Sequence, residues 1–277
     1  MGWPTVTAWT IARHEMKLAF RSKWLLVFAG LFTLLAGIII FFTGQSSGEF
    51  DGFTRSTASL LNLSLFLLPL LTLLVGSLLI AGEKEDGRLG LLLTYPLSSM
   101  SVIVGKYIGL AVSLIFVLLL GYGVSALLFF QASGSNFSLL FVFLGISVLL
   151  VLMFLSLSLL TGIMATGRLQ ALGMGLFSWA FFVLFYEFII MAATMIVGPT
   201  MVLPILTVSV FLNPVELIRV FTVLFLGSGT IFGPSVYDFT VWAEGGAGVV
   251  MFVIACLIWT VTPLLLANFL MNRGKTL

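Results

Sequence analysis

Residues 58–81 read ASLLNLSLFLLPLLTLLVGSLLIA, and the next seven, residues 82–88, read GEKEDGR. An uncharged run of 24 residues is long enough, at roughly 1.5 Å per helical residue, to cross a hydrocarbon core about 30 Å thick. The abrupt return of charge at Glu83 marks the exit into water. Comparable apolar runs occur at Trp24–Phe42, Val104–Phe130, Ser138–Ile163, Ala171–Val197 and Ala247–Met271, which makes six spans. Composition agrees: 61% of the 277 residues are hydrophobic and 8% are charged, with a mean hydropathy of +1.25. A soluble chain carries about 25% charged residues, so no soluble domain of normal size fits beside the spans. The fold class is an all-α integral membrane protein. One cysteine and one histidine exclude an internal disulfide and the zinc, haem-attachment and iron–sulfur motifs built from those residues. The sequence supplies no metal site, and a net charge of +2 gives no argument for nucleic acid.

Lys and Arg resist translocation and accumulate on the cytoplasmic side. Arg13, Lys17, Arg21 and Lys23 precede the first span, Lys84, Arg88 and Lys106 surround the second connection, Arg168 marks the fourth, and Arg273 and Lys275 follow the last. These are ten of the twelve basic residues; Arg55 and Arg219 fall opposite. Both termini are therefore predicted inside, in a multi-pass protein of the cytoplasmic (inner) membrane.

Residues 1–23 are too long for the basic region of a secretory signal, and no small-residue cleavage site follows, so they are read as retained. Ala8, Trp9, Ala12, Met16, Ala19 and Phe20 share one arc at 100° per residue, with Arg13, Lys17 and Arg21 on another. That pattern predicts an amphipathic helix lying in the inner headgroup layer. Between the fifth and sixth spans, residues 198–246 form a long external segment broken by Pro199, Pro204, Pro214 and Pro234. Within it, Asn213 can cap a helix with Pro214 first and Glu216 third, closed by Gly227. The enclosed run Val215–Leu226 is too short to span and too apolar for water, so it lies on the outer leaflet, dips into it, or is covered by protein.

Two motifs imitate catalytic signatures. Gly44-Gln45-Ser46-Ser47-Gly48 matches G-x-S-x-G, but the only histidine, His14, is on the opposite side of the membrane. Gly274-Lys275-Thr276 imitates the end of a phosphate loop, yet Phe269 stands where its first glycine belongs and no helix follows. Glu187, by contrast, is an ionisable residue well inside a predicted span, where a carboxylate costs at least roughly 2.5 kcal/mol unless it meets a partner or water. It is read as facing the bundle interior, either as a contact in a translocation path or as a staple between helices. Thr33 and Gly37, Gly105 and Gly109, and Ser158 and Gly162 stand four apart, the spacing that lets helices approach closely.

The connection after the second span carries the most information. Five charges fall within residues 83–88, and a short helix follows with Leu89, Leu92 and Leu93 on one side and a stop at Pro96. The sequence G-E-x-E-x-G-x-L, further leucines, Thr94-Tyr95-Pro96 and then Gly105-Lys106 resembles the second cytoplasmic connection of ABC-2 type transporter permeases. Six spans behind an amphipathic helix extend that resemblance over essentially the whole chain, as one transmembrane domain with a coupling segment at 82–103. Tyr186-Glu187 and Asn213-Pro214, followed by Glu216 and Arg219, lean toward the permeases that serve nitrous-oxide reductase maturation. Ser98-Ser99 departs from the family, where a basic residue is expected after T-Y-P.

The resemblance implies a permease subunit with no catalytic site, paired as a homodimer and bound to two copies of a cytoplasmic ABC ATPase that holds the ATP and Mg. Gly82, Glu83, Glu85, Asp86, Gly87, Arg88, Leu89, Leu92, Leu93 and Pro96 would couple to that ATPase. Asn213, Pro214, Glu216 and Arg219 would meet an external accessory protein concerned with copper or sulfur supply. Export of a drug, lipid or peptide is the alternative within the class, and a membrane scaffold or sensor that moves nothing is the alternative outside it. The topology is testable directly: a cysteine at Ser235 is expected to react with an impermeant maleimide in intact cells while one at Asp86 does not. The reverse pattern would overturn the charge argument.

Overall fold

In the computed structural model, residues 3–20, 55–94, 97–132, 137–227 and 237–274 are described, together with single positions between 27 and 37 and at 229. Most of the first predicted span, the 44–48 pentapeptide, Tyr95, Pro96, Ser235 and Lys275 lie outside the described residues. Every regular element among the described residues is helical. In chain order they are α1 (Trp3–Phe20), α2 (Arg55–Glu85), α3 (Arg88–Thr94), α4 (Ser99–Ala132), α5 (Phe137–Met164), α6 (Arg168–Ala180), a π turn (Phe181–Phe185), α7 (Tyr186–Ile196), α8 (Pro199–Leu212), α9 (Pro214–Phe225), α10 (Tyr237–Glu244) and α11 (Gly246–Gly274).

Five described helical runs are long and apolar enough to cross a membrane: α2, α4, α5, the continuous α6–π–α7 run, and α11. They coincide with the second to sixth predicted spans. α5 is apolar on all sides because it is the central helix, packed against α2, α4 and α11. Leu150, Met153 and Phe154 of α5 are fully buried there. The α6–π–α7 run and α11 instead present large apolar residues outward, among them Leu169, Phe177, Phe188 and Leu257.

Small residues set how closely these helices pass. In lipid there is no hydrophobic force between helices, so dispersion at short range and interhelical hydrogen bonds must hold them. A side chain at Gly76 of α2 would overlap Ser158 of α5, and a Cβ at Gly162 would lie 3.0 Å from Ser77 O. Polar bonds reinforce the bundle. Tyr122 OH of α4 pairs with Ser147 Oγ of α5 at 2.7 Å, and Trp179 Nε1 donates to Phe66 O at 2.9 Å. Pro263 inside α11 has no N–H for the Trp259 carbonyl four residues earlier. Ser156 Oγ of α5 supplies that missing donor at 3.0 Å.

α1 departs from the expected posture. Ala8 and Ile11 lie against Gly105, Ala12 and Glu15 against Gly109, and Phe20 stacks edge-on against Phe116. The two helices therefore run side by side in parallel, whereas a helix lying flat in the headgroup plane would cross a spanning helix steeply. α4, with 34 residues, is about 51 Å long and exceeds the hydrocarbon core by several turns. α1 accompanies its N-terminal half. The buried face of α1 is Ala12, Glu15 and Ala19, while Trp9, grouped with the alanines by sequence, points outward and Phe20 lies at the edge of the seam against Phe116.

A bulky side chain on this seam is expected to separate the helices. A Cβ at Gly109 would sit 2.6 Å from Ala12 O, whereas one at Gly123 on the same helix meets nothing within 4 Å. Gly109→Val should therefore destabilise the detergent-solubilised protein by about 1–3 kcal/mol and expose α1 to trypsin at Arg13 and Lys17, with Gly123→Val near wild type. Equal effects of the two substitutions would refute the seam.

Candidate functional site

The charged connection is built as a brace. α2 ends at Glu85, Gly87 turns the chain with a φ of 74°, and α3 follows. Lys84 Nζ donates to the carbonyls of Ile163 at 3.0 Å and Ala165 at 2.8 Å, closing the C-terminal end of α5. Gly167, at the start of α6, has no side chain to cap it, and Glu85 Oε2 accepts the Arg168 N–H at 2.7 Å instead. Asp86 binds the Arg168 guanidinium at 2.9 Å and Arg88 at 2.7 Å. Gly82 makes room for the Arg168 side chain, whose Nε would be 2.8 Å from a Cβ there. The second and fourth connections are thus tied into one platform.

Glu83 faces the other way. Lys106 Nζ of α4 donates to Glu83 Oε2 at 2.6 Å and also to Glu15 Oε1 of α1. Lys106 is 3% exposed and Glu15 5%. Burial is the main influence on Glu15 and raises its carboxyl above the ordinary value; Lys106 draws it down and Glu83 pushes it up. Sequence reasoning passed over Glu15 and used Lys106 as a topogenic charge and as part of the Gly105-Lys106 resemblance, without a partner for it. The available signal was the 8, 12, 15, 19 spacing, which puts one acid on a face otherwise made of alanines.

Of the proposed coupling residues, Glu83, Glu85 and Asp86 are engaged within the chain, and Leu89 is buried. Leu92 is partly buried against the core and Leu93 lies in the last turn of α3. Arg88, Gly90 and Leu91 remain outward, with Leu91 65% exposed.

At the other end of the bundle the separate external residues come together. α8 and α9 meet at a bend of 108°, and α9 is buried along most of its length. Val215–Leu226 is thus largely covered by protein. Asn213, 0% exposed, makes this corner: its Oδ1 caps Val215 N at 2.9 Å and its Nδ2 donates to Phe182 O in the π turn at 2.8 Å. π turns widen a helix and leave carbonyls open to such donors. Asn213 and Pro214 therefore sit inside the fold and offer no contact surface. Glu216 does not complete a capping box; it pairs with Arg219 at 2.8 Å, and Arg219 also binds Glu187. Glu187 thus has a cationic partner, supplied by α9 in the segment between the fifth and sixth predicted spans. The three line a cavity of about 330 Å³ together with Tyr186, Leu206 and Phe239. Tyr186 OH donates to Ser209 O at 2.8 Å and holds α7 to α8. Among the described residues no group of three or more His, Cys, Asp or Glu could hold a metal ion.

Residues 9–275 match the family described as ABC-2 family transporter protein. The chain is 33% identical over 218 residues, 76% of its length and 79% of the relative's, to a protein of Pseudomonas aeruginosa named probable ABC transporter permease protein NosY. A protein of the same name from Stutzerimonas stutzeri is 31% identical over 276 residues, covering 97% of this chain and 99% of the relative. The chain belongs to the ABC-2 family of transporter proteins, as a multi-pass membrane permease similar to these NosY proteins. Membership implies an ATP-hydrolysing partner.

The Asn213 corner gives a direct test. Asn213→Ala removes the cap and the bond to the π turn, and each should cost about 1 kcal/mol or more in a buried setting. Asn213→Ser keeps a cap acceptor for Val215 N without introducing a charge but loses the bond to Phe182 O, so it should fall between wild type and Ala in thermal unfolding. An Asn213→Ser variant as unstable as Asn213→Ala would show that the cap contributes nothing.

Proposed function

We propose that this permease is driven by two copies of a separate cytoplasmic ABC ATPase and works as a homodimer in the cytoplasmic membrane, with both termini inside. It is a single transmembrane domain with no catalytic site of its own, and ATP and Mg are held by the ATPase. The observation that carries this reading is the outward Arg88, Gly90 and Leu91 at the start of α3, set directly after the last turn of α2, which Glu83 ties to the buried Lys106 of α4. Rigidity is what a coupling element requires, because a push on a floppy loop is absorbed by the loop. Leu91 offers an apolar anchor and Arg88 a rim charge. Nucleotide-driven closure of the ATPases pushes the start of α3 and, with it, α2 and α4. Arg13 and Lys17 on the outward side of α1 sit at the level of the inner headgroups.

Outside the membrane, the motion reaches the bent α8–α9 pair and the cavity at Glu187, Glu216 and Arg219. The likeness to the NosY permeases supports a role in nitrous-oxide reductase maturation, in which an external accessory protein connected with copper or sulfur supply receives that movement. Export of an amphiphile is a second reading, favoured by the apolar walls of the cavity beside its charged residues.

Leu91→Glu places a charge on an exposed side chain at the start of α3, and it is expected to weaken pull-down of the ATPase about tenfold with little change in thermal unfolding. Normal ATPase binding by this variant would remove α3 as the coupling element. Lysine at Glu83 would not discriminate, because it breaks the pair with Lys106.

A further inference from the structure

Lys106 stands where three separate parts of the chain meet. Glu15 comes from the N-terminal helix, Glu83 from the last turn of α2, and Lys106 itself from the second turn of α4. The contacts around it leave little freedom. Ala8 and Ile11 fill the space over Gly105, Ala12 and Glu15 that over Gly109, and the Phe20–Phe116 contact, with ring centroids 5.2 Å apart, extends the same seam. A buried ammonium without its partners, or buried carboxylates without theirs, would be strongly unfavourable. The seam cannot slide by a helical turn without stranding at least one of these charges.

We propose that α1, the end of α2 and the cytoplasmic half of α4 move as one rigid lever keyed by Lys106, which is thus a positioning residue for coupling between the ATPase and the permease. The inference rests on the ATP-driven permease reading. A force delivered at the α3 tip reaches α4 directly through Glu83 and Lys106, and α1 travels with it. The brace from Lys84, Glu85 and Asp86 to the fourth connection is a separate attachment with exposed charges. Screening by water makes it the weaker of the two. Motion is therefore expected across that second attachment and absent within the lever.

The test is distance measurement by double electron–electron resonance on the permease co-purified with its ATPase in nanodiscs, in a Cys256→Ser background. One spin-label pair, at His14 and Val112, lies within the lever; the other, at His14 and Leu169, crosses to α6. All three positions are exposed. Between nucleotide-free and ATP-trapped states the first distance should stay constant and the second should shift. A shift in the first pair would overturn the lever while leaving the permease reading intact. No shift in either pair, with ATP turnover measured in the same sample, would overturn the coupling reading and the lever with it. Lys106→Gln should broaden the His14–Val112 distribution, and Lys106→Arg, which keeps the charge, should leave it narrow. A narrow distribution in Lys106→Gln would show that Lys106 is not the key.

Discussion

Close approach between helix backbones is the constraint on which this molecule depends. A chain that is 61% hydrophobic gains nothing by burying one leucine against another when lipid tails serve as well, so the arrangement of its helices must come from contacts lipid cannot make. Gly76 against Ser158 and Gly162 against Ser77 bring α2 onto α5; Gly105 and Gly109 bring α1 onto α4. At those crossings polar atoms come within reach of one another. Ser77 Oγ donates to Ala171 O, Ser156 to the carbonyl that Pro263 leaves open, and Lys106 to two carboxylates. In apolar surroundings a polar group left without any such partner would be costly.

The charges then divide by burial. Glu15, Glu83 and Lys106 are withdrawn into the protein and fix the relation of three segments, while Glu85, Asp86, Arg88 and Arg168 form an outer set in contact with water. Buried pairs hold geometry because breaking one leaves an uncompensated ion, whereas exposed pairs exchange readily with solvent. The seven residues from Gly82 to Arg88, the last turn of α2 and the turn into α3, thereby hold both a buried joint and an exposed one. At the opposite end, Asn213 does comparable work with neutral groups, joining a helix cap to a π turn and holding α9 so that Arg219 reaches Glu187.

Periodicity and composition were enough for the second to sixth spans, since a helix crossing a bilayer must be apolar along some twenty residues and that requirement is written locally. The charged connection, the α3 helix with its glycine turn, the capping of α9 by Asn213 and its end at Gly227 were legible for the same reason: each is decided by neighbours in sequence. The small-residue pairs were legible as sites of close approach, but their partners were not. Nothing in the sequence says that Gly109 meets Glu15, that Trp9 is left outside, or that α8 turns back on α9 through a bend of 108°.

Glu187 shows the division most clearly. Its cost inside a span follows from the sequence, because a carboxylate in hydrocarbon is unfavourable wherever it is placed. The Arg219 that offsets this cost is 32 residues away, beyond two helices and a corner, and only the folded chain brings them together. Glu85 likewise reads as a solvated acid until α6 supplies an uncapped N-terminus 83 residues later. The sequence by itself determined where the chain is apolar, where it turns and how its basic residues are distributed, since these depend on local chemistry. Which buried charge meets which, and therefore which charges remain free to meet a partner, was decided by tertiary structure, because electrostatic and close-packing forces act on distances in space and the sequence specifies only separations along the chain.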